Sequence, residues 1–158
     1  MGGGMATRLL SAGFPLSVYN RSRDKSAVLA KGGAFVAASP REAVARAEIV
    51  ISMVADDIAS RTVWLGNEGA LAGAPAGSLL LESSTLSVEW VTELAALATE
   101  KKCEFLDAPV TGTKPHAAAG ELFFMVGARL RDSPAPEKFC RSWEGKWCTS
   151  VRMAVAHS

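Results

Sequence analysis

The stretch that decides the fold spans residues 49–57 and reads IVISMVADD. Its first six residues form a nearly continuous apolar run, which is typical of a parallel strand covered on both faces. Asp56 follows at the position of a helix N-cap, and we favour this role for it over a metal site shared with Asp57. The stretch predicts a buried strand leading directly into a helix, the repeating unit of parallel α/β sheets.

Outward from this unit, strand and helix patterns alternate along nearly the whole chain. A capping box with proline at the first helical position, SPRE at residues 39–42, marks the preceding helix. We expect helices over residues 4–12, 26–31, 40–47, 57–65 and 88–101, strands over 16–19, 34–36, 49–54, 78–81, 105–106 and 122–126, and a glycine-rich loop over 66–77. This order predicts an α/β protein with a doubly wound, mostly parallel sheet.

Composition limits the possible classes of protein. The chain has 158 residues, which suits one domain, and 49% of them are hydrophobic, which is enough for a packed core. A net charge of +1 argues against nucleic acid or a membrane surface as a partner. No apolar run is long enough to span a membrane, and the N-terminus lacks the pattern of a signal peptide. Three cysteines, Cys103, Cys140 and Cys148, make neither a disulfide framework nor a zinc set, so we expect free thiols, a cytoplasmic location and no metal.

The first residues carry part of a dinucleotide-binding pattern. Such a site needs a buried strand, a glycine turn and a helix whose N-terminal amides face the pyrophosphate. Gly2, Gly3 and Gly4 stand just before a predicted helix, but no strand precedes them. Taken alone, the three glycines are equally compatible with a flexible start of the chain.

The end of the next strand bears on the choice of cofactor. An NAD-binding domain usually places a carboxylate there to bind the ribose hydroxyls. This chain has Asn20, Arg21 and Ser22 instead, with Arg23 and Lys25 nearby. A guanidinium binds a 2′-phosphate, so the stretch favours NADP over NAD. A solvated basic turn is the alternative interpretation.

Five stretches taken together resemble the β-hydroxyacid dehydrogenases, which include 3-hydroxyisobutyrate dehydrogenase, tartronate semialdehyde reductase and glyoxylate/succinic semialdehyde reductase. They read MGGGMA at residues 1–6, VYNRS at 18–22, MVADD at 53–57, SST at 83–85 and DAPVTGT at 107–113. The resemblance covers residues 1–128 and implies an incomplete Rossmann-like NAD(P)-binding domain whose sheet lacks its first strand. The same resemblance implies a cytoplasmic oxidoreductase that is oligomeric at full length.

The resemblance also assigns site residues. It implies cofactor contacts at Gly2, Met5, Asn20, Arg21, Ser22, Val54, Ala55 and Thr85, of which the last three lie in loops that approach the nicotinamide half of the cofactor in the family. Thr111, Gly112 and Thr113 correspond to the family's turn that holds the substrate carboxylate. Two positions depart from the family pattern: Ala55 replaces a proline, and Thr113 replaces a second glycine.

The family's catalytic lysine, in a Gly-x-x-x-Lys context, has no counterpart here. Lys138 and Lys146 are the lysines beyond Gly127, and neither has that context, so we assign no catalytic residue. We interpret His116 as a solvated loop residue rather than an acid/base, and Lys114 as a surface lysine rather than a carboxylate ligand. Residues 129–158, which include Trp143 and Trp147, are interpreted as an atypical tail that is disordered or read in a shifted frame.

The sequence therefore indicates an NADP(H)-dependent oxidoreductase of the β-hydroxyacid dehydrogenase type. It would transfer a hydride between the nicotinamide and a small 3-hydroxy acid or semialdehyde, with a small carboxylate as its partner. Two alternatives remain open: a non-catalytic NADP-binding module, and an inactive truncated fragment.

Overall fold

A computed structural model describes residues 1–126 and the backbone of residues 153–157. Within these residues the helices are α1 (Gly2–Ser11), α2 (Ala27–Lys31), α3 (Pro40–Val44), α4 (Asp57–Trp64), α5 (Ala70–Gly73), α6 (Val88–Glu100) and α7 (Lys114–Ala119), and a 3₁₀ turn covers Arg23–Ser26. The strands are β1 (Leu16–Asn20), β2 (Phe35–Val36), β3 (Ile49–Met53), β4 (Leu79–Glu82), β5 (Glu104–Asp107), β6 (Val110–Thr111), β7 (Phe123–Phe124) and β8 (Met153–His157).

Six of these strands form one parallel sheet in the order β2-β1-β8-β3-β4-β5. Helices connect successive strands, which confirms the predicted α/β architecture of the Rossmann type. Because all six strands are parallel, their carboxyl ends meet at one edge of the sheet. The remaining strands, β6 and β7, pair with each other in an antiparallel ribbon.

The central position of the sheet is occupied by β8. The first described element is α1, and the sheet is closed between β1 and β3 by β8. Val155 is paired with Val18 on one side and with Ile51 on the other. A gap there would leave two rows of N–H and C=O groups unpaired in the middle of the sheet, and β8 satisfies both rows.

The interpretation of residues 129–158 as a wholly atypical tail therefore needs correction at residues 153–157. Residues 127–152 and 158, with Lys138, Lys146, Trp143 and Trp147, lie outside the described residues, and the domain boundary at residue 128 stays a prediction.

Two hydrophobic layers cover the two faces of the sheet. One layer joins α1 to the sheet through Met5, Ala6 and Leu9, against Val18, Ile51 and Leu81 among others. The other includes Trp64 of α4, Trp90 of α6 and Leu80 of β4, all fully buried. Successive residues of β3 and β4 belong alternately to the two layers, because successive side chains of a strand point to opposite faces of the sheet. Burial of both faces accounts for the continuous apolar runs in the sequence.

Several short elements differ from the predictions. The glycine-rich loop contains α5, α7 replaces the expected loop around His116, and the strand expected over 122–126 is limited to β7. The helix expected over 40–47 ends at Val44. Elements this short have too few residues for a periodic pattern, so they depend on tertiary contacts. In the described part of the chain, no helix is both long and apolar enough to cross a membrane.

Candidate cofactor and substrate site

The start of α1 lies at the carboxyl edge of the sheet. The helix ends at Ser11, shortly before the amino end of β1, so its first turn is at the opposite edge. A Cβ on Gly3 would meet nothing within 4 Å, which leaves open space beside backbone amides that are not all used within the helix. This arrangement fits a pyrophosphate. Met5, a predicted cofactor contact, has its side chain buried in the core with 7% exposed.

Asn20 ends β1 and shapes the turn that follows. Its side chain is buried, and its Oδ1 accepts a hydrogen bond from the Ser22 amide at 2.8 Å. Arg21 and Ser22 are exposed directly beyond it, and Arg23, Asp24 and Lys25 are exposed around the following 3₁₀ turn. The neutral amide at residue 20 is therefore a fixed part of the turn, with the Arg21 guanidinium available at the surface.

A hydrogen bond joins the loops that follow β3 and β4. The Val54 amide donates to the Ser84 Oγ at 2.8 Å, and both residues are buried. The next residue in each loop, Ala55 and Thr85, is exposed at the carboxyl edge. The two loops predicted to approach the nicotinamide half of a cofactor are thus connected to each other.

Sequence reasoning missed Glu82, which lies under this connection with no exposed surface. Its Oε1 accepts from the Ser84 amide at 3.1 Å, and its Oε2 accepts from Ser60 Oγ at 2.8 Å and Trp64 Nε1 at 2.7 Å. The Ser60 Oγ also accepts from Trp90 Nε1 at 2.9 Å. The signal available in the sequence was a carboxylate placed directly after three leucines of a buried strand.

Asp107 ends β5 beside Glu82, its partner in the strand register. Burial, and then the charge of Glu82, raise the pKa of the Asp107 carboxyl above its ordinary value. Asp107 opens the turn predicted to hold a substrate carboxylate. Gly112 in that turn has φ 138°, and a Cβ there would lie 2.8 Å from Leu122 Cδ2, so this position requires glycine.

Thr113 and His116 form a reciprocal contact at the start of α7. The Thr113 amide donates to His116 Nδ1 at 3.0 Å, and the Thr113 Oγ1 lies 2.8 Å from the same nitrogen. His116 is exposed, as expected of a solvated residue, but its placement in a loop is wrong: it is the third residue of α7 and its side chain contributes to the cap of the helix. All three predicted carboxylate donors, Thr111, Gly112 and Thr113, are exposed, but Thr113 is already engaged with His116 through its amide and hydroxyl.

Helices α1 and α7 pack side by side with their first turns at the same end. A Cβ on Gly4 would lie 3.0 Å from Ala117 Cβ, and a Cβ on Gly120 would lie 2.9 Å from Arg8 Nε, so the contacts advance in the same direction on both helices. Burial, and then the charge of Lys114, lower the pKa of the Met1 amino group. The start of α7 thus lies beside the start of α1.

Most of the predicted site residues lie at one edge of the sheet, whereas Met5 is in the core. Asn20 ends β1 and is followed by Arg21 and Ser22, Val54 and Ala55 follow β3, Thr85 follows β4, and Thr111, Gly112 and Thr113 come after β5, with Thr111 in β6. Asp56 lies nearby but acts as the predicted N-cap, accepting from the Ala59 amide at 2.8 Å. Asp57 accepts from the Ser87 amide and hydroxyl, and these bonds lower the pKa of its carboxyl. Among residues 1–126, whose side chains the structure describes, there is no cluster of three or more metal-ligating side chains.

Comparison with known proteins defines the class to which this geometry belongs. Residues 1–141 match the family model described as the NAD binding domain of 6-phosphogluconate dehydrogenase, so the chain belongs to this family of NAD(P)-binding oxidoreductase domains. An uncharacterized oxidoreductase of Bacillus subtilis, YfjR, is 44% identical over 98% of this chain and 57% of its own length. The NAD-dependent L-serine dehydrogenase of Pseudomonas aeruginosa is 41% identical over 87% of this chain and 45% of its own length.

Solved structures support the same family. A structure of Psf3 in complex with NADP⁺ and 2-OPP has a TM-score of 0.81 and 26% identity, and covers 100% of this chain and 53% of that one. The 3-hydroxyisobutyrate dehydrogenase of Mycobacterium tuberculosis, solved with L-serine, has a TM-score of 0.77 and 30% identity, with 100% and 51% covered. The resemblance to hydroxyacid dehydrogenases is confirmed, and the chain spans about half the length of these relatives.

Proposed function

We propose that this chain binds NADP(H) and supplies the cofactor-binding half of an oxidoreductase of the β-hydroxyacid dehydrogenase type. The reaction would be hydride transfer between the nicotinamide and a small 3-hydroxy acid or semialdehyde. The convergence of the cofactor loops and the Asp107–Thr113 turn on one edge of the sheet supports this proposal. In such a site the cofactor supplies the hydride chemistry, and the protein supplies orientation and electrostatics.

The observation that carries the choice of NADP is the turn after β1. Asn20 presents no negative charge, its Oδ1 is committed to the Ser22 amide, and Arg21 is exposed next to it. A 2′-phosphate would meet a guanidinium, which binds phosphate oxygens in pairs. Family members use either cofactor, since the serine dehydrogenase is NAD-dependent and Psf3 is solved with NADP⁺. The relatives therefore do not decide the cofactor, and the choice of NADP is supported by the residues of this turn.

The test is a fluorescence titration of the chain with NADPH and with NADH. We expect tighter binding of NADPH, and we expect Arg21→Asp to remove that preference. Loss of a charge-assisted phosphate contact of about 1.5–3 kcal/mol corresponds to a reduction in affinity of roughly 10- to 150-fold.

Arg46→Asp is the matched control for this titration. It makes the same change of charge at an exposed residue that precedes β3 and so lies toward the opposite edge of the sheet. Equal affinities for the two cofactors before mutation would contradict the proposal, as would an equal effect of the two substitutions.

A further inference from the structure

We propose that Glu82 is a positioning residue that holds the two nicotinamide-side loops of the predicted cofactor site, residues 53–55 and 83–85, in register with each other. This inference rests on the proposed function, because the loops matter for catalysis only if a dinucleotide binds there. It concerns a residue that neither the sequence motifs nor the predicted contacts include.

Burial of the Glu82 carboxyl group removes its contact with water, which is unfavourable in free energy. Glu82 has no exposed surface, and a charged group of this kind persists in a core only when hydrogen bonds compensate for its lost hydration. Ser60, Trp64 and Ser84 provide three donors, at 2.8, 2.7 and 3.1 Å. An apolar residue would pack on Leu80 and the two tryptophans without this requirement, so the carboxylate is better explained by what it orients.

The two carboxyl oxygens of Glu82 have different hydrogen-bond partners. Oε2 accepts from Ser60 and Trp64, both on α4, and therefore joins β4 to that helix. Oε1 accepts from the Ser84 amide, and Ser84 Oγ then accepts from the Val54 amide at 2.8 Å. One side chain thus contacts α4 through Oε2 and, by way of Ser84, both loops through Oε1, so the two oxygens can be tested by separate substitutions.

The hydrogen bonds from Glu82 to Ser84 and from Ser84 to Val54 end next to exposed residues of the predicted cofactor site. Beyond Val54 and Ser84, the next residues along the chain are Ala55 and Thr85, both exposed at the carboxyl edge. The hydrogen bond from Val54 to Ser84, held in place by Glu82, supplies a constraint on the loop that contains Ala55.

Glu82→Gln separates the two roles of the side chain. The amide oxygen of glutamine can retain the two donors on α4, and its NH₂ group then faces the Ser84 amide, donor against donor. We expect Glu82→Gln to bind NADPH about tenfold more weakly, equivalent to about 1.4 kcal/mol, with the loss appearing in cofactor affinity. In the cofactor-free protein, hydrogen exchange at the Val54 amide should accelerate relative to amides of β1.

Ser60→Ala is the matched control. It removes the bond from Ser60 to Glu82 and the acceptor for Trp90, so it weakens the helix side of the network and leaves the Ser84 bond in place. We expect it to lower stability while NADPH affinity and Val54 exchange stay at the wild-type values. If it weakens NADPH binding as much as Glu82→Gln does, the role of Glu82 is general stability and the proposal is wrong.

Ser84→Ala provides an independent variant in case Glu82→Gln does not fold. It removes the acceptor of the Val54 amide and leaves the carboxylate with its helix partners. The same accelerated exchange at Val54 and the same loss of NADPH affinity are expected, and unchanged values would overturn the proposal.

Failure of this inference can be distinguished from failure of the proposed function. If the wild-type chain binds neither NADPH nor NADH, the proposed function is wrong, yet Val54 exchange in the cofactor-free protein still tests the positioning role. If the wild-type chain binds NADPH and Glu82→Gln changes neither measurement, the positioning role alone is wrong.

Discussion

The first turn of α1 contacts α7 at Gly4 and Ala117, where a Cβ added to Gly4 would lie 3.0 Å from Ala117 Cβ and 3.1 Å from the Ala117 carbonyl carbon. This contact brings together the helix expected to face the pyrophosphate and the helix that follows the Asp107–Thr113 turn. Gly3, one residue earlier, has open space at its Cβ position. The two neighbouring glycines therefore have different structural roles.

Gly4→Ala is expected to destabilise the protein, because backbone atoms of α7 cannot move aside freely. Overpacking of this kind costs about 1–3 kcal/mol, which exceeds the roughly 0.5–1 kcal/mol that alanine gains over glycine within a helix. Gly3→Ala is the control, and it should be neutral or stabilising. Urea unfolding of both variants in the absence of cofactor checks the prediction, and a stabilised Gly4→Ala protein would contradict the close contact.

Val155→Pro is expected to disrupt the sheet at its centre. Proline removes the N–H of a strand paired on both sides, and one buried acceptor left unpaired costs about 1–3 kcal/mol before any clash of the ring. Val155→Ala keeps the amide and should be much less harmful. Thermal melting followed by circular dichroism distinguishes the two variants. Equal melting temperatures for wild type and Val155→Pro would show that β8 does not complete the sheet.

His116→Ala should weaken the start of α7 by about 0.5–2 kcal/mol, the usual cost of losing a helix cap. The physical reason is the loss of the acceptor for the Thr113 amide. His116→Gln should recover most of the stability, because glutamine at the third helical position makes the same reciprocal contact. Chemical denaturation of the three proteins measures this difference. Identical stabilities of the alanine and wild-type proteins would argue against a capping role.

Asp107→Asn is expected to stabilise the protein at neutral pH. The pKa of Asp107 is raised in the folded state, so the wild-type protein is favoured where the carboxyl is protonated and loses that contribution as pH rises through the folded pKa. The stability gained by the substitution should therefore narrow as pH falls toward the ordinary value of 3.8. Urea unfolding at several pH values between 4 and 7 checks it. A gain that does not vary with pH would exclude ionisation of Asp107 as the cause.

Sequence patterns predicted the parts of the fold that are governed by local chemistry. The apolar run at 49–54 corresponds to β3, and the predicted N-caps Asp56 and Ser39 begin α4 and α3, with small differences at the ends. Such signals lie within a few residues of one another, so they can be recognised without the tertiary structure. His116 was placed in a loop because histidine is not one of the usual residues, Glu or Gln, at the third helical position of a capping box.

The candidate site, like the fold, was predicted from the sequence only in part. The order of its turns along the chain was predicted, because each turn follows a strand, and parallel strands bring their carboxyl ends together. Glu82 was not predicted as a site residue, because its partners come from four separate positions: Ser60 and Trp64 on α4, Ser84 after β4, and Asp107 across the sheet. The burial of Glu82 and the approach of its partners can be recognised only in the packed structure.

By itself, the sequence determined the class of fold, which follows from periodicity, capping and turn residues, whose physics is local. The resemblance of its motifs to one family indicated the family and predicted the edge of the sheet for the cofactor. The tertiary structure alone decided that residues 153–157 pair between β1 and β3, that Gly4 lies against Ala117, and that Glu82 joins two loops to α4. Each of these depends on hydrogen bonds or close contacts between segments far apart in the chain, and such contacts form only when the whole sheet is assembled.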